Sequence, residues 1–539
     1  MNKIAFAVNR LKDSKGIVKL LVLIVGAFLF ALPFIVEELW LFGWIGLSFL
    51  FVIIMDFQKT SRRVFGSLFC FFFLFYVFAY SWFVSMYPLD FAGLGTIESI
   101  GVIVCAEVLI PIIHGTLMTV SVFLSFLAAK KTDNIYLRAV LVSFGYVLGE
   151  FLQSVGTFAF PWAMLFAGQS SRIEILQSAS LFGARFVTFI IVFVNALLAL
   201  LLLNIGKNKR TCKMLGILAL SVFVLNFVFG AVRVAVSDYG NSKKITAVAF
   251  QGNIPSSEKW KPGRKPATDV YYNLALEAKE YCDEKGMNVD VAAIPETAFP
   301  YTIDPKNTDG EASQVSMKMA ELLSADVFVG AFSEDGDASY NSLFVYCSDG
   351  VSDKTYDKRN LVPFGEFLPY RSILTSIMPS LGEINMLSHD LSRGKKPAPL
   401  ETSAGKAACL ICFDSIFPEN ARVQVKDGAD YIVISTNDSW YKQSRALYQH
   451  SSHAVMRAVE NNRSVLRSAN TGISMIIDPV GRVKQKTVVD ERTFIVDEMP
   501  IETGKTLYTL TGDLVAPVGI LLVFGMLVLD FIKKKILPR

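Results

Sequence analysis

Eight long runs of apolar residues limit the possible folds of this chain more than any other feature. A bilayer core about 30 Å thick needs about 20 apolar residues in an α-helix that crosses it. The runs span about residues 17–36, 39–56, 64–86, 102–129, 137–157, 180–205, 214–236 and 512–532. Hydrophobic residues make up 52% of the 539 residues, charged residues only 19%. We therefore predict an integral membrane protein with about eight transmembrane helices.

The distribution of Lys and Arg predicts how these helices are oriented. Basic residues concentrate in the cytoplasmic loops of membrane proteins. Here they cluster at both termini and in every second loop, near residues 3–15, 59–63, 130–138, 207–213 and 533–539. The alternate loops carry almost none. This pattern predicts that both termini are cytoplasmic and that the long polar stretch lies outside the cytoplasmic membrane.

The predicted domains follow from this arrangement. Residues 1–240 form a seven-helix transmembrane domain, residues 241–505 an extracytoplasmic domain, and residues 506–539 a closing transmembrane helix with a basic cytoplasmic tail. The first apolar run is long and lacks a small-residue cleavage site, so we interpret it as a retained helix rather than a signal peptide. The net charge of +4 gives no indication of nucleic-acid binding.

The polar stretch alternates short β-branched apolar segments with amphipathic ones. Strands are predicted at 245–250, 289–294, 327–331, 342–346, 407–411, 431–435, 474–477 and 493–496. Helices are predicted at about 267–284, 311–324, 418–427 and 444–461. This alternation indicates an α/β domain with buried sheets.

Three residues in this domain carry reactive side chains at or near predicted strand ends. Glu296 follows one apolar strand, Lys358 lies in a charged loop, and Cys412 ends another apolar strand. A cysteine nucleophile needs a base to form its thiolate and donors for the oxyanion of the tetrahedral intermediate. A glutamate can be the base, and a lysine lowers the pKa of a nearby thiol. Taken singly, each would more often be a solvated or core residue; together they predict a cysteine-dependent site.

In this order, Glu296, Lys358 and Cys412 resemble the Glu-Lys-Cys triad of the nitrilase, or carbon–nitrogen hydrolase, superfamily. With the surrounding helices, the whole chain resembles the apolipoprotein N-acyltransferase family of bacterial membranes. The other segments that carry this resemblance are Phe160–Trp162, Gln251–Pro255 with Trp260, Leu361–Glu366 and Ser435–Trp440. The resemblance implies a nitrilase-like αββα sandwich for the polar domain.

The resemblance also implies roles for individual residues. Cys412 would be the nucleophile, Glu296 the general base and Lys358 the stabiliser of thiolate and oxyanion. Glu366 and Asp414 would support the triad. The substrate-binding residues would include Trp260, Phe364, Phe413 and Trp440. The sequence departs from the usual family pattern at Ile294, Asn360, Phe413 and Asp414, and none of these departures removes a triad member.

By the same resemblance, the enzyme would move a fatty acyl chain from a membrane phospholipid to the N-terminal amine of an S-diacylglyceryl-cysteine in a lipoprotein. It would act in the bacterial inner membrane as a monomer, without a cofactor or metal. The leading alternative is a membrane-tethered amidase that uses the same residues to hydrolyse a small amide. A transporter or scaffold without catalytic activity is a second alternative.

Two other interpretations of the same residues stay open at this point. Cys409 and Cys412 form a C-x-x-C pair, which can be a dithiol redox site. The same pair with His450 and His453 could bind zinc, although the spacing of the histidines is shorter than usual. The apolar Leu410 and Ile411 between the cysteines disfavour an exposed redox turn.

Overall fold

The computed structural model describes residues 16–55, 60–89, 94–255, 267–348, 350–377 and 390–536. Its contacts divide the chain into two compact units. The helical unit comprises Met1–Val84, Val104–Val236 and Thr511–Arg539, and the α/β unit comprises Ser85–Ile103 and Ser237–Leu510. Residues Ser85–Ile103, which the sequence analysis included in the first transmembrane domain, group with the α/β unit.

The first part of the chain and its C-terminus are helical. The α-helices before residue 240 are α1 (Gly16–Ile35), α2 (Gly46–Ile54), α3 (Ser61–Ala79), α4 (Thr96–Ala129), α5 (Ile135–Gln153), α6 (Ile173–Leu176), α7 (Ala179–Phe182), α8 (Ala184–Asn204) and α9 (Lys209–Val236). Short 3₁₀ helices lie at Glu37–Trp44, Ser81–Met86 and Leu165–Gln169. Near the C-terminus, α15 (Leu507–Thr511) is followed by α16 (Val515–Ile536).

Eight helical segments in the described part of the chain are long and apolar enough to cross a membrane. They are Gly16–Ile35, Glu37–Ile54, Ser61–Met86, Thr96–Ala129, Ile135–Gln153, Ala184–Asn204, Lys209–Val236 and Val515–Lys533. Each coincides with one of the predicted apolar runs, so the prediction of eight transmembrane helices is confirmed.

Two charged residues inside the helical unit, Glu150 and Arg185, have polar partners, which lower the cost of placing them in a membrane interior. The buried Glu150 accepts hydrogen bonds from the backbone N of Leu165 (2.9 Å) and from Oγ1 of Thr188 (2.8 Å). Arg185, at the start of α8, pairs with Asp513, just before α16, at 2.5 Å. This ion pair ties the closing helix to the rest of the unit.

The α/β unit contains two mixed β-sheets. The first consists of β1 (Lys244–Gln251), β2 (Val291–Ala293), β3 (Asp326–Asp335), β4 (Ala338–Cys347), β5 (Gly350–Val351), β6 (Tyr356–Asp357) and β13 (Thr493–Pro500), in the order β13-β1-β2-β3-β4-β5 with β6 beside β4. The second consists of β7 (Leu400–Thr402), β8 (Gly405–Ile411), β9 (Tyr431–Thr436), β10 (Val465–Ala469), β11 (Met475–Ile477) and β12 (Val483–Lys486), in the order β12-β11-β10-β9-β8-β7.

One hydrophobic core lies between the two sheets and another beneath the helices of the first sheet. The helices of the unit are α10 (Ala267–Lys285), α11 (Glu311–Leu323), α12 (Arg371–Ile377), α13 (Pro418–Lys426) and α14 (Arg445–Asn461). Helices α10 and α11 pack on the first sheet, and α13 and α14 pack on the second. The result is a four-layered αββα sandwich, which confirms the predicted nitrilase-like fold class.

Parallel pairing brings the predicted reactive residues to one edge of the sandwich. Strand β2 runs parallel to β1 and β3, and β9 runs parallel to β8 and β10. The carboxyl ends of parallel strands lie at the same edge of their sheet. The two sheets are joined at this edge, because Oγ of Ser435 donates to the backbone O of Ile294 at 2.8 Å.

Candidate active site

Glu296 is the centre of a buried hydrogen-bond cluster. It follows β2 by three residues, and its side chain is almost fully buried. One carboxylate oxygen, Oε1, accepts from Nζ of Lys358 (2.8 Å) and from Nδ2 of Asn341 (2.7 Å). The other, Oε2, accepts from the backbone N of Asn437 (2.9 Å), just beyond β9. Both sheets therefore hold this carboxylate in place.

Lys358 bridges two glutamates. Its ammonium group also donates to Oε1 of Glu366, at 2.9 Å, and Nδ2 of Asn341 donates to the same oxygen at 3.0 Å. The remaining oxygen of Glu366 accepts from the backbone N of Val362 at 2.8 Å. We call Glu296, Asn341, Lys358 and Glu366 the Glu–Lys cluster. Only 1% of the Lys358 surface is exposed, so its charge is screened little by water.

The charges in this cluster stabilise one another. Burial raises the pKa of Glu296, but the charge and hydrogen bond of Lys358, together with Asn341 and Asn437, outweigh it and hold the pKa below its usual range. Burial lowers the pKa of Lys358, but the charges of Glu296 and Glu366 raise it well above the usual range. Lys358 is therefore held as an ammonium and Glu296 as a carboxylate.

Cys412 occupies a constrained position at the end of β8. Its φ of 48° lies in the left-handed region, which is uncommon for a residue with a side chain. A 3₁₀ helix, Cys412–Ile416, begins at the same residue. Burial raises the pKa of its thiol well above the usual range; the charge of Glu296 adds to this effect, and that of Lys358 opposes it. The resting group is thus a thiol under the influence of both charged residues.

Cys409 has a different environment within the same C-x-x-C pair. It lies inside β8, is fully buried, and its backbone N and O are hydrogen-bonded at 2.9 Å to the amide of Gln424. Burial raises the pKa of the Cys409 thiol. Cys409 belongs to the core between the sheets, where it packs like a small hydrophobic residue.

Asp414 connects the segment after Cys412 to the segment after Lys358. Its carboxylate accepts from the hydroxyl of Tyr356 (2.8 Å) and from the backbone N of Asn360 (2.8 Å). Burial raises the pKa of Asp414 to about 6, against the lowering effect of these hydrogen bonds. This geometry fits the predicted supporting role, because Asp414 fixes two segments that carry reactive residues.

The residues predicted to bind substrate have varied surroundings. Phe413 is buried and packs edge-to-face on Phe417, with ring centroids 5.4 Å apart. Phe364 is 47% exposed and has a φ of 64°. Trp440 is half-buried in the 3₁₀ turn Ser439–Tyr441. Trp260 lies outside the described residues.

Two features at this edge of the sandwich were not predicted from the sequence. Asn341, in the middle of β4, was not singled out, although it bridges both glutamates of the Glu–Lys cluster. The second is a group of three fully buried side chains in which Asp438 pairs with both His450 and Arg467. The Ser435–Trp440 segment indicated Asp438, but nothing in the sequence connected it to Arg467.

The zinc hypothesis paired both cysteines with both histidines, and the structure groups them differently. Among the residues that the structure describes, Cys412 and His450 lie together with Asp438, their potential ligand atoms within 4.8 Å of one another. Within that same part of the chain, Cys409 and His453 belong to no such group.

The αββα fold of the α/β unit is that of a carbon–nitrogen hydrolase domain. Comparison with known families agrees, because residues 249–506 match the carbon–nitrogen hydrolase family model. Residues 26–197 match the model of the apolipoprotein N-acyltransferase N-terminal domain. Among solved structures, the chain is similar to Saccharomyces cerevisiae Nit3, a member of branch 10 of the nitrilase superfamily, with 19% identity, a TM-score of 0.36, and coverage of 49% of this chain and 92% of that chain.

Relatives matched over two thirds or more of their length identify the family. The chain is 31% identical over 363 residues to the apolipoprotein N-acyltransferase of Geobacter metallireducens, covering 66% of this chain and 67% of that protein. It is 31% identical over 393 residues to the one from Methylococcus capsulatus, covering 70% of this chain and 72% of that protein. The chain belongs to the apolipoprotein N-acyltransferase family. Lipoprotein N-acylation by a membrane acyltransferase is thereby supported, and the amidase alternative is not favoured.

Proposed function

We propose that this enzyme transfers a fatty acyl chain from a membrane phospholipid, through a thioester on Cys412, to the α-amine of an S-diacylglyceryl-cysteine. The observation that supports this most directly is the position of Cys412. It lies in a constrained backbone conformation at a strand end, where the charges of Glu296 and Lys358 both act on its thiol. These are the groups that thioester chemistry needs: a nucleophile, a base and a cation.

In the first half-reaction, Glu296 takes the thiol proton of Cys412 and the thiolate attacks an ester carbonyl of the phospholipid. Lys358 stabilises the oxyanion that forms. The carbon–oxygen bond of the ester breaks, and the lysophospholipid leaves with the proton from Glu296. An acyl thioester remains on Cys412.

In the second half-reaction, the α-amine of the acceptor gives a proton to Glu296 and attacks the thioester carbonyl. The carbon–sulfur bond breaks, and the Cys412 thiolate is reprotonated by Glu296. The products are an N-acylated acceptor and the free enzyme. One site thus serves two substrates in turn.

The Glu–Lys cluster limits the electrostatic cost when Glu296 accepts a proton in a buried site. Transfer of a proton from Cys412 to Glu296 moves the negative charge to the sulfur but leaves the net charge of the site unchanged. Lys358 keeps its contact with Glu366, at 2.9 Å, while Glu296 is neutral. The ammonium therefore stays charged and in place for the oxyanion, without the large cost of an unpaired buried charge.

The proposed substrates fit an enzyme that is anchored in a membrane. Both are amphiphiles, and their reacting groups lie near the surface of the bilayer. The 47% exposed Phe364 lies two residues before Glu366 and offers apolar surface near the Glu–Lys cluster. We propose that the enzyme is a monomer, that it uses such surface to bind acyl chains, and that it needs no cofactor.

The expected result of a reconstituted assay tests this function. Purified enzyme in liposomes should release lysophospholipid and N-acylate a synthetic S-diacylglyceryl-cysteine peptide in equal amounts. A peptide with an acetylated N-terminus is the matched control, because it lacks the free amine. Steady release of free fatty acid that is independent of the acceptor would contradict the proposal and indicate a hydrolase.

We further propose that both termini are cytoplasmic and that the α/β unit lies outside the inner membrane. The alternation of basic loops between the eight apolar helices supports this orientation. A reporter enzyme that is active only outside the cytoplasm should be active when fused after residue 240 and inactive after residue 539. A fusion after Lys131, in a basic loop, is the matched control and should be inactive. The opposite pattern would exclude the proposed orientation.

A further inference from the structure

A second buried network of charged residues contacts Cys412, separate from the Glu–Lys cluster. Asp438 follows β9, His450 lies on α14 and Arg467 lies in β10, and none of these side chains is exposed. Oδ1 of Asp438 lies 2.9 Å from Nδ1 of His450, and Oδ2 accepts from Nη2 of Arg467 at 2.7 Å. The proposed acyl transfer assigns no role to these residues. A buried charged side chain is costly unless it is paired with a partner of opposite charge, so their burial needs an explanation.

His450 connects this network to the backbone of Cys412. Its second ring nitrogen, Nε2, lies 3.2 Å from the backbone O of Cys412 and 3.2 Å from Oγ of Ser415. The carbonyl oxygen can only accept, so Nε2 carries a proton in that hydrogen bond. The hydroxyl of Ser415 donates to the same carbonyl at 2.7 Å. Two side chains therefore hold the peptide group that follows Cys412.

The conformation of Cys412 shows why such restraint matters. Its φ of 48° lies in a sparsely populated region, and residues persist there only where the surrounding structure holds them. The direction of the Cα–Cβ bond, and with it the position of Sγ, depends on this backbone conformation. Loss of the contact from His450 would allow the peptide to rotate and the thiol to move away from Glu296.

The same network also reaches the thiol itself. Thr436 Oγ1 donates to Oδ1 of Asp438 at 2.9 Å, and the Thr436 hydroxyl lies close enough to the Cys412 thiol to lower its pKa against the effect of burial. The potential ligand atoms of Cys412, Asp438 and His450 lie within 4.8 Å of one another. Asp438 thus anchors a residue that holds the backbone of Cys412, and it lies close to the thiol itself.

These distances would also suit a metal ion, but the charges oppose one. The guanidinium of Arg467 donates to Asp438 and lies 3.3 Å from Nδ1 of His450. A cation bound to Asp438 and His450 would lie beside this permanent positive charge. Both ring nitrogens of His450 are already engaged in hydrogen bonds.

We propose that His450, held by Asp438 and Arg467, is a positioning residue that keeps the Cys412 thiol aligned for attack on the acyl ester. The inference rests on the proposed function, because it requires Cys412 to be the nucleophile. His450 would act through the backbone of Cys412 and would touch neither the phospholipid nor the acceptor.

Two substitutions of His450 separate its two hydrogen bonds. In His450→Gln the amide nitrogen can take the place of Nε2 and still donate to the carbonyl of Cys412. In His450→Asn the amide nitrogen takes the place of Nδ1, so the link to Asp438 stays and the link to Cys412 is lost. A misplacement of about 1 Å in a reacting group can cost about 10²-fold in rate.

The experiment measures the rate at which phosphatidylethanolamine in liposomes acylates Cys412 in the full-length protein, by mass spectrometry. We expect about a 10²-fold slower rate in His450→Asn, a loss below about 10-fold in His450→Gln, and an unchanged KM in both. His453→Asn is the matched control, because it replaces another buried histidine of α14, and its rate should be unchanged.

Each other outcome has a defined meaning. Activity in Cys412→Ala would overturn the proposed function itself. An inactive Cys412→Ala variant together with a wild-type rate in His450→Asn would overturn only the positioning role. Equal losses of rate in His450→Asn, His450→Gln and His453→Asn, with lowered thermal stability, would show that His450 has a purely structural role. That result would also overturn the positioning role. If the wild-type protein bound Zn²⁺ stoichiometrically and His450→Asn did not, His450 would be a metal ligand and the positioning role would be overturned.

Discussion

Replacement of Cys412 by Ala should abolish acyl transfer, and the equivalent replacement of Cys409 should leave most of it. In Cys412→Ala no atom can carry the acyl group, so the loss should reach the detection limit of the assay. Cys409 lies three residues earlier, inside β8 and away from water. The reconstituted assay checks this by measuring lysophospholipid release and N-acylation for both variants.

The two cysteines form a matched pair, since both variants remove one sulfur from the same segment. Cys409→Ala removes a buried atom from the core between the sheets, so it should lower stability by about 1 kcal/mol rather than activity. Thermal denaturation of both variants separates the two effects. If both substitutions abolished activity while the protein stayed folded, the dithiol or metal hypothesis would replace the nucleophile assignment.

Patterns in the sequence predicted that Glu296 and Cys412 lie at strand ends, because an apolar segment that forms a buried strand can be recognised from its residues. An apolar β-branched segment that stops at a polar residue marks the end of a buried strand. Glu296 and Cys412 each follow such a segment. Their convergence required only that the strands be parallel within their sheets, which alternating strands and helices favour.

Strand β10 was missed for a physical reason. It reads Val465-Leu466-Arg467-Ser468-Ala469, and a buried strand with a central arginine looks like a surface loop in sequence. Arg467 is tolerated there because the carboxylate of Asp438, distant in sequence, pairs with it. Only the tertiary structure brings these two charges together, so no local pattern could have revealed the strand.

Asn341 illustrates the same limit within the Glu–Lys cluster. It lies in β4, where a polar residue between Tyr340 and Ser342 suggests an exposed position. In the fold its amide instead lies between two buried carboxylates and donates to both. Its contacts are with Glu296 and Glu366, which are far from each other in sequence. The spacing of these residues along the chain therefore gives no indication that they meet.

Phospholipid alone should acylate Cys412, and Glu296→Gln should prevent it. The first half-reaction needs no amine, so a fatty-acyl mass increment should accumulate on the Cys412 peptide and be removed by hydroxylamine. Glutamine cannot take the thiol proton, and loss of a positioned base typically costs about 10²–10⁴ in rate. Mass spectrometry of the peptide after incubation with liposomes measures both expectations.

The amide substitution isolates the basic function of Glu296 from its structural one. Lys358 would keep its contact with Glu366, and the remaining amide oxygen can still accept from Asn341 or Asn437. The matched control is Glu401→Gln, on the exposed surface of β7, which should form the adduct at the normal rate.

Normal adduct formation in Glu296→Gln would mean that another group removes the thiol proton. An adduct that never accumulates in the wild type, with steady release of fatty acid, would mean that water reaches the thioester before the amine does. A transferase requires the reverse order, so this single measurement distinguishes acyl transfer from hydrolysis at the same cysteine.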